Sequence, residues 1–303
     1  MYRIQRPSRS RHLPIRRLQY HLREWGEPNP DAAPWVMVHG WMDVSASFQF
    51  VVDALTHSPW ILAPDWRGFG LTDASAQDCF WFPDYVADLD ALLDATVGDQ
   101  PVNLIGHSMG GHVATLYAGA RPERVRKLVN LEGLGMPATR PAQAPGRLAT
   151  WMDELRAQAR GENELKPYND LAGVAQRLTR TNPRLSPDKA LWLASHWASQ
   201  GSDGLWRILG HAGHKITSAT LFRLDEVLCT YERIQAPMLF VQSDTDSLST
   251  WWQGRYSREE FHQRLEKVPQ CETITLAECG HMLHHDQPQA LAQALEAFLL
   301  TPT

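Results

Sequence analysis

Val102-Asn-Leu-Ile-Gly-His-Ser-Met-Gly-Gly111 decides how the chain is read. Its first half is a short apolar run with branched residues, suited to a buried parallel strand. Its second half has the spacing G-x-S-x-G at Gly106, Ser108 and Gly110, and a helix-like segment, His112 to Ala120, follows. A strand, a sharp turn and a helix in that order form a nucleophile elbow. The turn is so tight that the positions two before and two after the serine must be nearly free of side chain. The serine is lifted above the sheet edge, beside the free N–H groups of the helix start.

Outward from this stretch the chain alternates strands and helices. Residues 15–25 read as a strand pair, and Trp35–His39, Trp60–Pro64 and Val125–Leu131 read as buried strands. Ala46–Thr56 and Phe82–Thr96 have helical periodicity. From Leu134 the rhythm changes: a Pro- and Ala-rich linker at 138–145 leads to helical segments at 148–160, 171–179, 187–197 and 221–231. Strands return at Pro237–Asp246 and Glu272–Ala277, and an amphipathic helix, Pro288–Leu299, closes the chain. Such alternation predicts a parallel, doubly wound sheet, whose chemistry gathers at the carboxyl ends of the strands. His39, Asp65, Ser108 and Glu132 all fall at such ends.

Composition narrows the partners. A net charge of −5 gives no cationic field for nucleic acid, and no apolar run is long enough to span a bilayer. Seven arginines precede the first acidic residue, Glu24, without an apolar export core; a solvated arm and a cytoplasmic location are expected. Four cysteines lack C-x-x-C spacing, which weighs against a zinc site or a disulfide framework. Several of the twelve tryptophans lie between 151 and 252, suited to core packing or to lining an apolar pocket.

His39-Gly-Trp41, Asp65-Trp-Arg-Gly-Phe-Gly70, Gly106–Gly111, Pro237–Asp246 and Gly280-His281 together resemble the α/β-hydrolase superfamily over nearly the whole chain. The order Ser…Asp…His is the one this fold uses. His39-Gly-Trp-Met-Asp-Val-Ser-Ala-Ser-Phe48 is similar to the group called serine hydrolase-like proteins. The resemblance implies an α/β fold with a mostly parallel eight-stranded sheet flanked by helices. It implies a core from 1–134 and 232–303, with 135–231 inserted as a helical lid.

The resemblance also assigns roles. Ser108 is the expected nucleophile and His281 its base, in a loop the fold brings over the elbow. Asp246, at the end of the strand from Pro237, is the preferred acid for holding the imidazole; Glu132, after the strand following the elbow, is the alternative. Asp244 is expected to cap its loop. The backbone N–H groups of Trp41 and Met109 are the expected oxyanion donors. Asp65 and Arg67 are expected to brace their loop, and His211, His214, His284 and His285 to be solvated or supporting. No metal and no cofactor is expected. Serine at the elbow excludes the epoxide hydrolases and haloalkane dehalogenases of this fold, which need an aspartate there.

The expected activity is hydrolysis of a carboxylic ester with a small to medium, apolar acyl group. Carbon–carbon bond hydrolysis of ring-cleavage products, thioester or lactone hydrolysis, and a non-enzymatic ligand receptor of the same fold are the alternatives.

Overall fold

A computed structural model describes residues 2–73 and 77–301. The chain opens with a hairpin in which β1 (Arg9–Ile15) and β2 (Leu18–Trp25) pair antiparallel, Arg9 opposite Glu24 and Ile15 opposite Leu18. The strand pair thus begins six residues before the expected start at residue 15. β1 is an edge strand: its first residues project into water while Leu13 and Ile15 are buried, so no apolar run announces it. The segment before it is mostly solvated, as expected, but it is anchored. Asp53 of α1 (Gln49–Ala54) accepts the Arg6 N–H at 2.9 Å, and the Arg6 guanidinium donates to the Leu55 carbonyl at 2.7 Å.

The central strands are rich in apolar residues because they are buried on both faces, though the polar Asn103, Lys127 and Asn130 interrupt them. They and their helices follow in the order β3 (Trp35–Val38), β4 (Ile61–Pro64), α2 (Phe82–Val97), β5 (Val102–His107), α3 (Met109–Ala120) and β6 (Val125–Leu131). Next come α4 (Ala144–Ala159), α5 (Leu171–Thr181), α6 (Pro187–Trp197), β7 (Ala198–Gln200), β8 (Trp206–Ile208) and α7 (Leu224–Tyr231). The chain ends through β9 (Met238–Ser243), α8 (Ser247–Trp252), α9 (Arg258–Leu265), β10 (Cys271–Leu276), α10 (Leu283–Asp286) and α11 (Pro288–Leu299).

The main sheet has eight strands in the order β1-β2-β4-β3-β5-β6-β9-β10, parallel from β4 to β10. Alternate residues feed two cores. Trp35, Met37, Ile105, Val129 and Val241 face the side covered by Leu291, Leu295 and Leu299 of α11. Val36, Val38, Leu104, Leu128 and Phe240 face Leu89 and Leu93 of α2 and Val113 and Tyr117 of α3.

The β6–β9 connection is mostly helical, as expected, but includes the β7–β8 pair, too short and polar to register as apolar strands. α4 buries none of its residues and exposes Leu148 and Met152. α7 lies against α3 so closely that a Cβ on Gly119 would fall 2.1 Å from the Thr230 carbonyl oxygen. Among the described residues no helix is long and apolar enough to cross a membrane.

Candidate active site

Ser108 sits where β5 ends and α3 begins, at φ 53° and ψ −117°, a conformation strained for any side chain. Its glycine neighbours permit the turn. A Cβ on Gly106 would fall 2.4 Å from the Gly110 carbonyl oxygen, and one on Gly110 would fall 2.3 Å from that of Val38. The serine is left half-buried at the sheet edge.

The loop after β10 brings His281 to it. Asp244 holds that loop, accepting the N–H of Glu278 at 2.8 Å and of Cys279 at 3.3 Å, while Asp286 accepts the Gly280 N–H at 2.9 Å. His281 Nε2 lies 2.8 Å from Ser108 Oγ. On the other side of the ring, His281 Nδ1 lies 3.3 Å from Glu132 Oε2. Glu132 is only 1% exposed and has φ 54°. Its Oε1 accepts the Ser243 N–H at 2.7 Å and the Ser243 hydroxyl at 3.1 Å, which aims Oε2 at the imidazole. A proton on Nδ1 facing this carboxylate leaves the Nε2 lone pair directed at the serine hydroxyl.

Asp246, the acid preferred from sequence, is not brought to the histidine. Its two oxygens close the first turn of α8, accepting the Ser249 N–H at 3.2 Å and the Ser249 hydroxyl at 2.5 Å. It is exposed, and among the described residues no hydrogen bond or ion pair joins it to His281. The helix cap satisfies the carboxylate locally, where the sequence reading gave it a distant partner.

The loop after β3 lies against the serine: a Cβ on Gly40 would fall 3.0 Å from Ser108 Cβ. Among the described residues, no backbone bond outside the helices and strands takes the Trp41 N–H, and Met109 opens α3, where helix N–H groups lack an intrahelical partner. The Trp41 indole N–H donates to the His214 carbonyl at 3.2 Å. His214 is not solvated. It stacks between Phe69 and Phe80 with centroids 3.7 and 3.6 Å away, and burial pulls its pKa down to about 3. His211 accepts the Gly213 N–H at 3.0 Å and caps the same turn.

Asp65 and Arg67 brace the neighbouring loop, as expected. Asp65 accepts from the Ser45 N–H at 2.7 Å and the Leu71 N–H at 2.9 Å, and lies 2.7 Å from His21 Nδ1. Burial pushes its carboxyl upward, but the His21 hydrogen bond and charge, with the Leu71 N–H, hold it well below the usual range. Arg67 grips Asp88 with two bonds of 2.6 Å.

Behind the serine lies a layer the sequence reading missed. His107 Nε2 donates to the His281 carbonyl at 2.8 Å and so fixes the loop carrying the base. His284 and His285 are buried, with their Nε2 atoms 3.2 and 2.5 Å from Ser47 Oγ. Asp43 and Ser47 belong to the loop motif that begins at His39, which was the available signal. Trp251, 48% exposed, sets its ring edge-on to His281 at 4.4 Å between centroids.

The fold accords with known proteins. A family model for the alpha/beta hydrolase fold matches residues 34–288. A serine hydrolase-like protein of Danio rerio is 26% identical over 292 residues, covering 91% of this chain and 83% of that protein. A 3-hydroxybutyrate-oligomer hydrolase of Cupriavidus necator is 26% identical over 296 residues, covering 94% and 93%. Among solved structures, the thioesterase domain from the curacin biosynthetic pathway superposes with a TM-score of 0.82 at 24% identity, covering 96% of this chain and 99% of that domain.

Proposed function

The chain belongs to the α/β-hydrolase fold family and resembles its serine hydrolase-like group, and from that premise we propose a serine hydrolase acting on carboxylic esters. One observation carries the reading: the 2.8 Å contact between Ser108 Oγ and His281 Nε2, with a buried carboxylate behind the ring. Ser108 attacks the acyl carbonyl while His281 takes its proton. The tetrahedral oxyanion is received by the N–H groups of Trp41 and Met109. The C–O bond to the leaving alcohol then breaks as His281 returns the proton to it. A water, deprotonated by His281, releases the acid and restores Ser108. Glu132 holds the imidazole tautomer and stabilises the imidazolium between steps.

An ester is favoured over the other acyl substrates because a relative matching nearly end to end is named a 3-hydroxybutyrate-oligomer hydrolase, and hydroxy-acid units of that kind join through ester bonds. The half-exposed Trp251 beside His281 and the exposed Trp41 favour an apolar acyl group. Residues 135–231 would serve as the lid, the unburied α4 being its most detached element. Four free cysteines suit a reducing compartment, and the cytoplasm is the proposed location.

A chain-length series of p-nitrophenyl esters, acetate to dodecanoate, tests this. Steady turnover with kcat/KM highest for short to medium acyl groups is expected. One slow acylation without turnover would instead favour the receptor reading.

A further inference from the structure

The buried layer beneath the nucleophile holds more than a brace for His281. One ligand atom each from Asp43, His107 and His284 lies within 4.8 Å of the other two, and all three side chains are buried. Each residue also has one buried polar atom without a hydrogen-bond partner: Asp43 Oδ2, His107 Nδ1 and His284 Nδ1. The other polar atom of each is engaged. Trp197 donates its indole N–H to Asp43 Oδ1 at 3.1 Å, His107 Nε2 donates to the His281 carbonyl, and Ser47 Oγ lies 3.2 Å from His284 Nε2. His284 Nε2 stands 3.7 Å from Asp43 Oδ2, too far for a hydrogen bond but close enough for an ion pair when the ring is protonated.

This is the chemistry of a held ligand set. Metal-binding imidazoles keep their orientation by giving the second ring nitrogen to a carbonyl or another polar group. Here His107 gives Nε2 to a carbonyl and keeps Nδ1 free, Asp43 takes an indole N–H, and His284 is fixed through Nε2 between the Ser47 hydroxyl and Asp43. Two imidazoles and a carboxylate, with a fourth position open, match the donor set that Zn²⁺ takes at three-ligand sites. Bonds of about 2 Å would draw the three atoms to roughly 3.3 Å of one another in a tetrahedron. Local spacing along the chain does not announce this set, because Asp43 lies in the loop after β3, His107 ends β5 and His284 lies in α10.

We infer that Asp43, His107 and His284 form a binding site for a divalent late first-row transition metal, directly beneath the nucleophile elbow. His107 precedes Ser108 in the chain, so the ion would sit one residue from the serine on the side away from solvent. The inference does not depend on the reaction assigned to Ser108.

The test is titration of full-length, chelator-treated protein with CoCl₂, followed by displacement with ZnCl₂. One equivalent per chain, with the intense visible absorption of four-coordinate Co²⁺, is expected. Zn²⁺ should abolish that absorption and raise Tm by roughly 5 °C at saturating concentration. Asp43→Asn and His284→Gln should each weaken binding by at least about tenfold. His281→Gln should bind as the wild type does, since the catalytic imidazole is not a ligand. Absence of one-equivalent binding by the wild type, or the weak spectrum of six-coordinate Co²⁺, would overturn the site, leaving buried water as the filling. Binding retained in both cluster variants, or lost in His281→Gln, would also overturn it by placing the ion elsewhere. If the cluster variants do not fold, the wild-type and His281→Gln titrations still decide.

Discussion

The loops after β6 and β9 leave adjacent strands, and each carries an acid close to the same sheet edge. Glu132 is buried, held by two bonds from Ser243, and has one oxygen left for His281. Asp246 is exposed, and both of its oxygens are used within the first turn of its own helix. The difference teaches that a strand-end carboxylate is selected by its unspent lone pair, not by its place along the chain. β9 still takes part, since Ser243 at its end supplies the donors that aim Glu132. One loop presents the carboxylate that faces His281 and the other steadies it.

That contrast can be broken or sharpened by measurement. The largest expected effect is on the group both acids would serve: Ser108→Ala should lower kcat for a p-nitrophenyl ester by on the order of 10⁶-fold. A variant keeping most of its turnover would end the contrast by removing the serine from the reaction. Glu132→Gln should lower kcat by roughly 10⁴-fold, because an amide cannot stabilise the imidazolium and can favour the wrong tautomer. A loss within tenfold would return the role to another carboxylate.

A third test asks what burial costs at this edge of the molecule. His112, one turn after Ser108, packs against Phe82 and Phe222 with its Nδ1 unpartnered. Burial, then the nearby charge of Arg264, pulls its pKa down to about 4. The folded ring therefore refuses a proton that the unfolded ring accepts between about pH 6.5 and 4. Stability is full above that window and falls as pH drops through it, by on the order of 3 kcal/mol from this group. His112→Phe should flatten the fall by that share in urea titrations at pH 7 and pH 4, and an unchanged slope would contradict it. The smallest effect belongs to the exposed acid. Asp246→Asn should cost at most about 1 kcal/mol of stability, since asparagine also caps helices. Its ester turnover should stay within about twofold of wild type, and a much larger loss would tie Asp246 to the chemistry.

Much of this architecture could be read from the chain. The strands at Trp35 and Ile61 announce themselves as unbroken apolar runs, and those at Val102 and Val125 as apolar runs interrupted by a few polar residues, because both faces are buried. Ser108 and His281 were legible from the tight glycine spacing and from a strand end followed by Gly280. β1 escaped because an edge strand alternates charge with apolar residues only near its end. That Glu132 rather than Asp246 faces His281 was illegible for a different reason. Position at a strand end was equal for both, and the deciding bonds from Ser243 and Ser249 depend on backbone direction. The buried partners Asp43, His107 and His284 were hidden because they meet only when a loop, a strand end and a short helix fold together.

The most direct measurement of the central claim needs no substrate: the rate at which a fluorophosphonate acquires the Ser108 peptide in wild type, Glu132→Gln and Asp246→Asn. The account predicts labelling at Ser108, slowed by roughly 100-fold or more in Glu132→Gln and unchanged in Asp246→Asn. Slowing in Asp246→Asn with full reactivity in Glu132→Gln, or labelling at another residue, would contradict it.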